Sequence, residues 1–296
     1  MAATTVSQPT RHRRSAGMGN AGSDQRTRYF NAFCASVLVV FAAIWVLPLL
    51  WALVTSLRPE GEVTTNPTSW WSSHWTVGAY RSILGSSDMA TWYMNSFVTS
   101  ALSAALTVLV CSMAGFALAR TGFRGNRAVS GLLLAGLLIP GQVLILPMFS
   151  EFSHVHLLNT YWALVLPSIP TPVAVFVFVS FFNGLPGELV EAARVDGASW
   201  LRVYATIFMP LCKPAISAVA IFTFVWSWNS LLWPLLVMTS TKLMTIPVGL
   251  ATVQSAFGIQ YARVMASAVL GALPLVVVFL LFQRRIVEGV ANTGIK

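Results

Sequence analysis

The side chains able to do chemistry are few in this sequence and lie almost wholly outside its apolar stretches. The titratable set is nine Asp and Glu, eighteen Lys and Arg, four His and three Cys, with six Tyr beside them. None has metal-site spacing: there is no CxxC, and His154 and His156 have no third ligand near them in sequence. Lys213, Lys242 and Lys296 follow Cys212, Thr241 and Ile295, so no G-x-x-x-x-G-K phosphate loop exists. No acid, base and nucleophile converge, and the pattern is that of a chain without a reaction centre. One charged run does have regular spacing. Between Asn183 and Lys213, Pro186 precedes Glu188-Leu189-Val190-Glu191-Ala192-Ala193-Arg194-Val195, a run of good helix formers broken by Asp196-Gly197. Trp200, Val203, Tyr204, Ile207 and Phe208 then fall on one face of a second helix. Periodicity alone leaves two roles open for this segment. It packs on the bilayer or under its own bundle, or it inserts into the groove of a soluble partner.

The elements that must position this segment are membrane spans. The chain of 296 residues is 56% hydrophobic and 9% charged, against about 25% charged in soluble domains. Six windows reach the roughly 20 apolar residues of a bilayer crossing: 33–57, 93–119, 128–150, 161–182, 215–238 and 264–283. The first is too long for a signal-peptide core and lacks an A-x-A exit, so it reads as a retained anchor. None of the six holds Asp, Glu, Lys or Arg. That argues against ion-coupled carriers and intramembrane hydrolases, which keep ionisable groups at depth. Energy, if used, enters from outside the bilayer.

The net charge of +9 is a topology signal, not a nucleic-acid patch. With the N-terminus in the cytoplasm, fourteen of the eighteen cations fall in inside segments. Only Arg58, Arg81, Lys242 and Arg263 lie outside, so both termini are expected in the cytoplasm. Cys34 and Cys111 lie in spans and Cys212 on the cytoplasmic side, which implies no extracellular disulfide. Residues 1–28 read as a disordered basic tail, with Arg11-His12-Arg13-Arg14 a candidate headgroup contact, ahead of a six-span domain over 29–296. The longest outside segment, Arg58 to Trp92, carries Trp70, Trp71 and Trp75, as interfacial anchors or as a surface for an external partner. The fold class expected is all-α: six transmembrane helices with a two-helix cytoplasmic loop over 183–213.

Glu191-Ala192-Ala193, Asp196-Gly197-Ala198, Ile207 and Pro210 resemble the EAA loop of ABC importer permeases. The glycine falls six residues after the glutamate and the proline thirteen after that glycine. Tyr204 stands where the family often has Phe, and Met209 where Leu is usual. The resemblance runs from about Pro48 to the C-terminus and is closest to the MalG-like carbohydrate branch. Its further pieces are Asn95-Ser96, Ile139-Pro140 with Leu146-Pro147, Leu158-Asn159-Thr160, and Trp226-Ser227-Trp228-Asn229 with Trp233-Pro234. The tail Gln283-Arg284-Arg285 through Gly289, Gly294 and Lys296 completes it.

The resemblance implies a pore subunit of a binding-protein-dependent sugar importer in the cytoplasmic (inner) membrane of a prokaryote. Its partners would be a second permease, an ATPase dimer and an extracytoplasmic solute-binding protein. The chain would hold no cofactor, ATP and magnesium being bound by the ATPase. Glu191, Ala192, Ala193, Asp196 and Gly197 would form the ATPase-coupling set. Ala would permit close approach, Gly197 a tight turn where a side chain would clash, and Asp196 a cap on the second helix or a hold on the turn. Gln142, Trp226 and Asn229 are the substrate-pathway candidates at depth, with Trp228 and Trp233 as further stacking surfaces. Packing between helices and interfacial anchoring is the other reading of all five. The alternative cargo is glycerol-3-phosphate or a glycerophosphodiester, although the spans offer no cation for it.

Overall fold

The computed structural model describes residues 21–86, 88–256 and 260–291. The Arg11–Arg14 cluster and the C-terminal Gly294 and Lys296 lie outside them. All regular structure among the described residues is helical. The chain divides into two units, residues 1–51 and 52–296.

The first unit is the apolar length of α1 (Ala21–Ser56), whose side chains from Tyr29 to Leu50 are nearly all exposed. The second unit begins with two short helices, α2 (Glu60–Thr65) and α3 (Gly78–Ser86). Its central element is α4 (Met89–Phe116), extended by a π-helical turn at Ala117–Thr121. After that come α5 (Asn126–Leu137), α6 (Ile145–His154), α7 (Tyr161–Val165) and α8 (Pro172–Asn183). The loop helices are α9 (Glu188–Val195), α10 (Trp200–Val203) and α11 (Met209–Leu211). The last four are α12 (Lys213–Asn229), α13 (Leu232–Val237), α14 (Ile246–Ala256) and α15 (Tyr261–Ala291).

Among the described residues, three continuous helices are long and apolar enough to cross a membrane: Arg28–Ser56, Met89–Thr121 and Tyr261–Leu280. The windows 128–150, 161–182 and 215–238 are not single helices, so the expected six spans are reached only if each bent pair counts as one. The third bends by 92° between Gly136 and Gly141, and the fourth by 47° between Ser168 and Pro172. The fifth ends at Asn229 and resumes at Leu232, while an 82° bend at Cys212 separates it from the loop helices. Pro140 and Pro172 lack the N–H that a continuing helix needs, which accounts for two of these breaks.

The bundle is inside-out relative to a soluble one. α4 turns Asn95, Ser96, Thr99, Ser100, Ser103, Thr107 and Ser112 inward and exposes Met94, Phe97, Leu109, Val110 and Met113. Small hydroxyl residues let helices approach where lipid offers no apolar driving force. The approach of α8 is close enough that a Cβ on Gly115 would lie 2.7 Å from the Phe178 Cβ, so only glycine fits there. Asn95 ties α4 to the segment before α14, donating to the Lys242 and Met244 carbonyls at 2.8 and 2.9 Å and accepting from the Tyr161 hydroxyl at 2.6 Å.

Candidate functional site

The 184–212 loop is built as two short helices with a glycine turn between them. α9 ends at Asp196, whose backbone N–H reaches the Ala192 and Arg194 carbonyls. Gly197 has φ +76°, a left-handed conformation that costs any L side chain roughly 1–2 kcal/mol. No atom lies within 4 Å of where its Cβ would be, so the backbone angle, and not a clash, demands the glycine. The second helix is capped by Ser199, whose hydroxyl accepts from the Arg202 N–H at 3.3 Å. Asp196 does not fill that role, as was one expectation. Arg194 closes the turn, donating to the Ala198 carbonyl at 2.8 Å and lying 5.1 Å over the Trp200 ring.

The apolar face of the second helix turns into its own bundle. Val203, Tyr204 and Phe208 are buried, and Phe208 meets the rings of Phe116 and Phe182 at centroid distances of 5.1 and 5.6 Å. The Tyr204 and Ser112 hydroxyls share a hydrogen bond of 2.7 Å. Arg120 donates to the Phe182 and Leu185 carbonyls and sits 5.3 Å over Phe208. The packing reading of the periodicity thus describes one face. The outer surface of the loop is left exposed: on α9 and its C-cap Glu188, Glu191, Ala192, Asp196 and Val195, the last 88% exposed, and on the second helix Leu201. Of the alanine pair, only Ala192 points outward, for Ala193 is buried in the core cluster.

The depth candidates separate. Gln142 and Trp226 line one cavity of about 320 Å³, together with Thr99, Ser168, Ser227, Ser230 and Thr245. Asn229 is not among them. It lines a different groove with Trp228, Ile246 and Leu250, and its amide donates to the Val225 carbonyl at 2.8 Å. Trp228 and Trp233 are tied structurally, through indole N–H bonds to Gly271 at 3.2 Å and Ala163 at 2.7 Å. Trp226 is 71% exposed and stacks on Phe222. Sequence reading missed the hydroxyls of the cavity, because scattered Ser and Thr carry no pattern; the Pro140-Gly141 pair at one break was the available signal. Among the described residues no group of three His, Cys, Asp or Glu could hold a metal.

The 58–76 connection is fastened by charge. Arg58 is only 2% exposed and donates to the carbonyls of Ser69, Glu62 and Asn66 at 2.7, 3.2 and 3.0 Å. Both Glu60 carboxylate oxygens accept from the first N–H groups of α15, Tyr261 at 2.7 Å and Ala262 at 2.9 Å. Glu62 accepts from the Ser72 and Ser73 hydroxyls, which hold its carboxyl below the usual glutamate range, with Arg58 adding to the effect. Trp71 and Trp75 pack edge to face and remain exposed.

A family model described as "Binding-protein-dependent transport system inner membrane component" matches residues 107–292. The arabinooligosaccharides transport system permease protein AraQ of Halalkalibacterium halodurans is 37% identical, over 86% of this chain and 92% of its own length. The sulfoquinovosyl glycerol transport system permease protein SmoH of Agrobacterium fabrum is 32% identical, over 88% of this chain and 92% of its own. A crystal structure of a bacterial ABC transporter involved in import of the acidic polysaccharide alginate has a similar fold. Its TM-score is 0.76 at 18% identity, over 87% of this chain and 96% of that one.

Proposed function

The chain belongs to the family of binding-protein-dependent transport system inner membrane components, and from that premise we propose that it forms half of the pore of an ATP-driven importer of sugars or oligosaccharides. A second, homologous permease completes the pore. A separate ATPase dimer binds ATP and magnesium and powers the cycle, and an extracytoplasmic binding protein delivers the solute. The excess of Lys and Arg on one side supports both termini in the cytoplasm, which puts the 184–212 loop on the ATPase side.

The observation that carries this reading is the two-faced loop. Its Phe208, Tyr204 and Val203 face is locked into the bundle, while Glu191, Ala192 and Val195 are left exposed on the other side. A surface so built can dock in a partner's cleft and pass that partner's movement into the spans through packed rings. Glu191 offers a carboxylate to a basic or amide group there, Ala192 lets the surfaces approach, and Gly197 with Asp196 sets the angle between the helices. The glycerol-phosphate alternative has weaker support, since no cation lines the cavity at the helix breaks.

The test is co-purification from the native membrane in mild detergent, followed by ATPase and uptake assays of the recovered assembly. A second permease and a P-loop ATPase are expected with the chain. Glu191→Ala is expected to leave insertion intact and lower ATP-driven uptake at least tenfold. Recovery of the chain alone as a homo-oligomer would overturn the reading.

A further inference from the structure

We propose that this chain holds a sugar contact of its own: the cavity lined by Gln142, Ser227, Ser230 and Trp226 takes one ring of the transported saccharide. The proposal rests on the importer reading and adds that this subunit touches the cargo. Three broken spans meet at the cavity, through Gly141 and Gln142, through Pro167 and Ser168, and through Ser230 and Leu232. Irregular backbone at membrane depth survives where it is buried in protein or lines a wet cavity.

The breaks differ in how they are satisfied. At the fourth span, α4 closes the gap: Thr107 donates to the Ser168 carbonyl at 3.1 Å, and the Cys111 thiol reaches the Ile169 carbonyl at 3.4 Å. At the third and fifth the polar side chains stay available. Among the described residues, the Gln142 amide and the Ser227 and Ser230 hydroxyls have no hydrogen-bond partner within the chain. Beside them the buried Thr245 hydroxyl is also without one. Thr245 is buried, where an unpaired hydroxyl is unfavourable, while Gln142 is exposed and Ser227 and Ser230 are half-buried. The cavity thus presents polar groups to water or to a ligand that replaces water.

The lining selects the ligand class. Every free group is neutral, and amide and hydroxyl each both donate and accept, which matches the mixed donors and acceptors of a polyol. Trp226 adds an apolar face for the C–H side of a ring. No ionisable residue lines the cavity, so a charged solute would enter without a counter-charge. An acyl chain would leave the amide and hydroxyls unpaired. At about 320 Å³ the cavity is at the low end of small-molecule sites, which suits a single ring with the rest of an oligosaccharide held elsewhere.

The experiment uses the co-purified assembly in lipid nanodiscs and a mixture of diazirine-bearing arabinotriose and maltotriose, with mass spectrometry of the photo-adducts. Adducts are expected on the peptides around Gln142 and around Trp226–Ser230, competed by the unmodified sugars. In the Gln142→Ala, Ser227→Ala double variant their yield falls about tenfold, as expected for two lost neutral hydrogen bonds. Adducts confined to other peptides, no competed adducts, or equal yields in the variant overturn the proposal. ATP-driven uptake by the same assembly in proteoliposomes separates the two readings. Uptake without these adducts removes the site and leaves the importer. Adducts without ATP-driven uptake remove the importer reading and leave the site.

Discussion

Residues 58–76 and 184–212 are both connecting segments of the second unit, and each is held in place by a different force. The first hangs on ions and hydrogen bonds, with Arg58 gathering three carbonyls, Glu62 two serines and Glu60 the start of α15. The second hangs on rings, with Phe208 set among Phe116 and Phe182 and Tyr204 beside them. Directional polar ties fix a conformation and fail one at a time, and they answer to pH. A packed aromatic cluster transmits displacement as a unit, because a close-packed core is stiff. A loop proposed to carry force is therefore the one built from rings, and a loop proposed as a landing surface is the one built from charges.

The comparison breaks most sharply at Phe208. Phe208→Ala should cost about 3–5 kcal/mol by leaving a cavity among the rings, read as a fall in the unfolding temperature of the detergent-solubilised chain. A wild-type melting curve would show that the ring cluster does not hold the loop. Arg58→Ala comes next, at about 2–3 kcal/mol for three charge-assisted bonds lost from a buried guanidinium to part-buried carbonyls. Limited proteolysis should then cut within 59–77 while 184–212 stays protected; equal cutting in both segments would erase the distinction. Ser199→Ala removes one cap and should cost about 1 kcal/mol, seen as faster amide exchange at residues 200–203 alone.

The smallest effect sharpens the contrast through pH. The Ser73 and Ser72 hydroxyls hold the Glu62 carboxyl below the usual glutamate range when folded, so its contribution is complete above that range and is lost as pH falls through the lower, folded value. Protease protection of 59–77 should decline in that acid window, and Glu62→Gln should weaken the pH dependence, the Glu60 carboxylate remaining in place. The ring cluster that holds 184–212 contains no carboxyl, and Glu188, Glu191 and Asp196 are exposed outside it, so protection of 184–212 should not follow the same curve. Parallel loss in both segments would mean that one acid transition governs the whole unit.

Much of this arrangement is legible in the order of the residues alone. Uncharged windows mark the helices and bent helix pairs apolar enough to cross a membrane, because burying an ion in lipid is costly whatever the fold. The amphipathic stripe from Trp200 to Phe208 is legible through its helical period, though not what it faces. The interior of each window is not, since hydropathy averages over the residues that bend it. Ile139-Pro140-Gly141 breaks a span, yet the break at Ser230 has no proline of its own. Gln142 stands beyond the break of its window, where the helical phase restarts, and shares a cavity with Trp226. Asn229, three residues on from Trp226 in the same helix, lines a different groove. Arg58 counts in sequence as one more external cation, whereas its burial depends on carbonyls at 62, 66 and 69.

The bond from Glu60 to α15 has a consequence for how the protein is made. The acceptor leaves the ribosome about 200 residues before its donors, Tyr261 and Ala262. Through most of translation Glu60 has nothing to cap, and α15 cannot satisfy its first N–H groups until it arrives beside α2. Docking of the final span is thus the step that completes the 58–76 connection, and a nascent chain arrested before residue 261 should carry Glu60 still open to water.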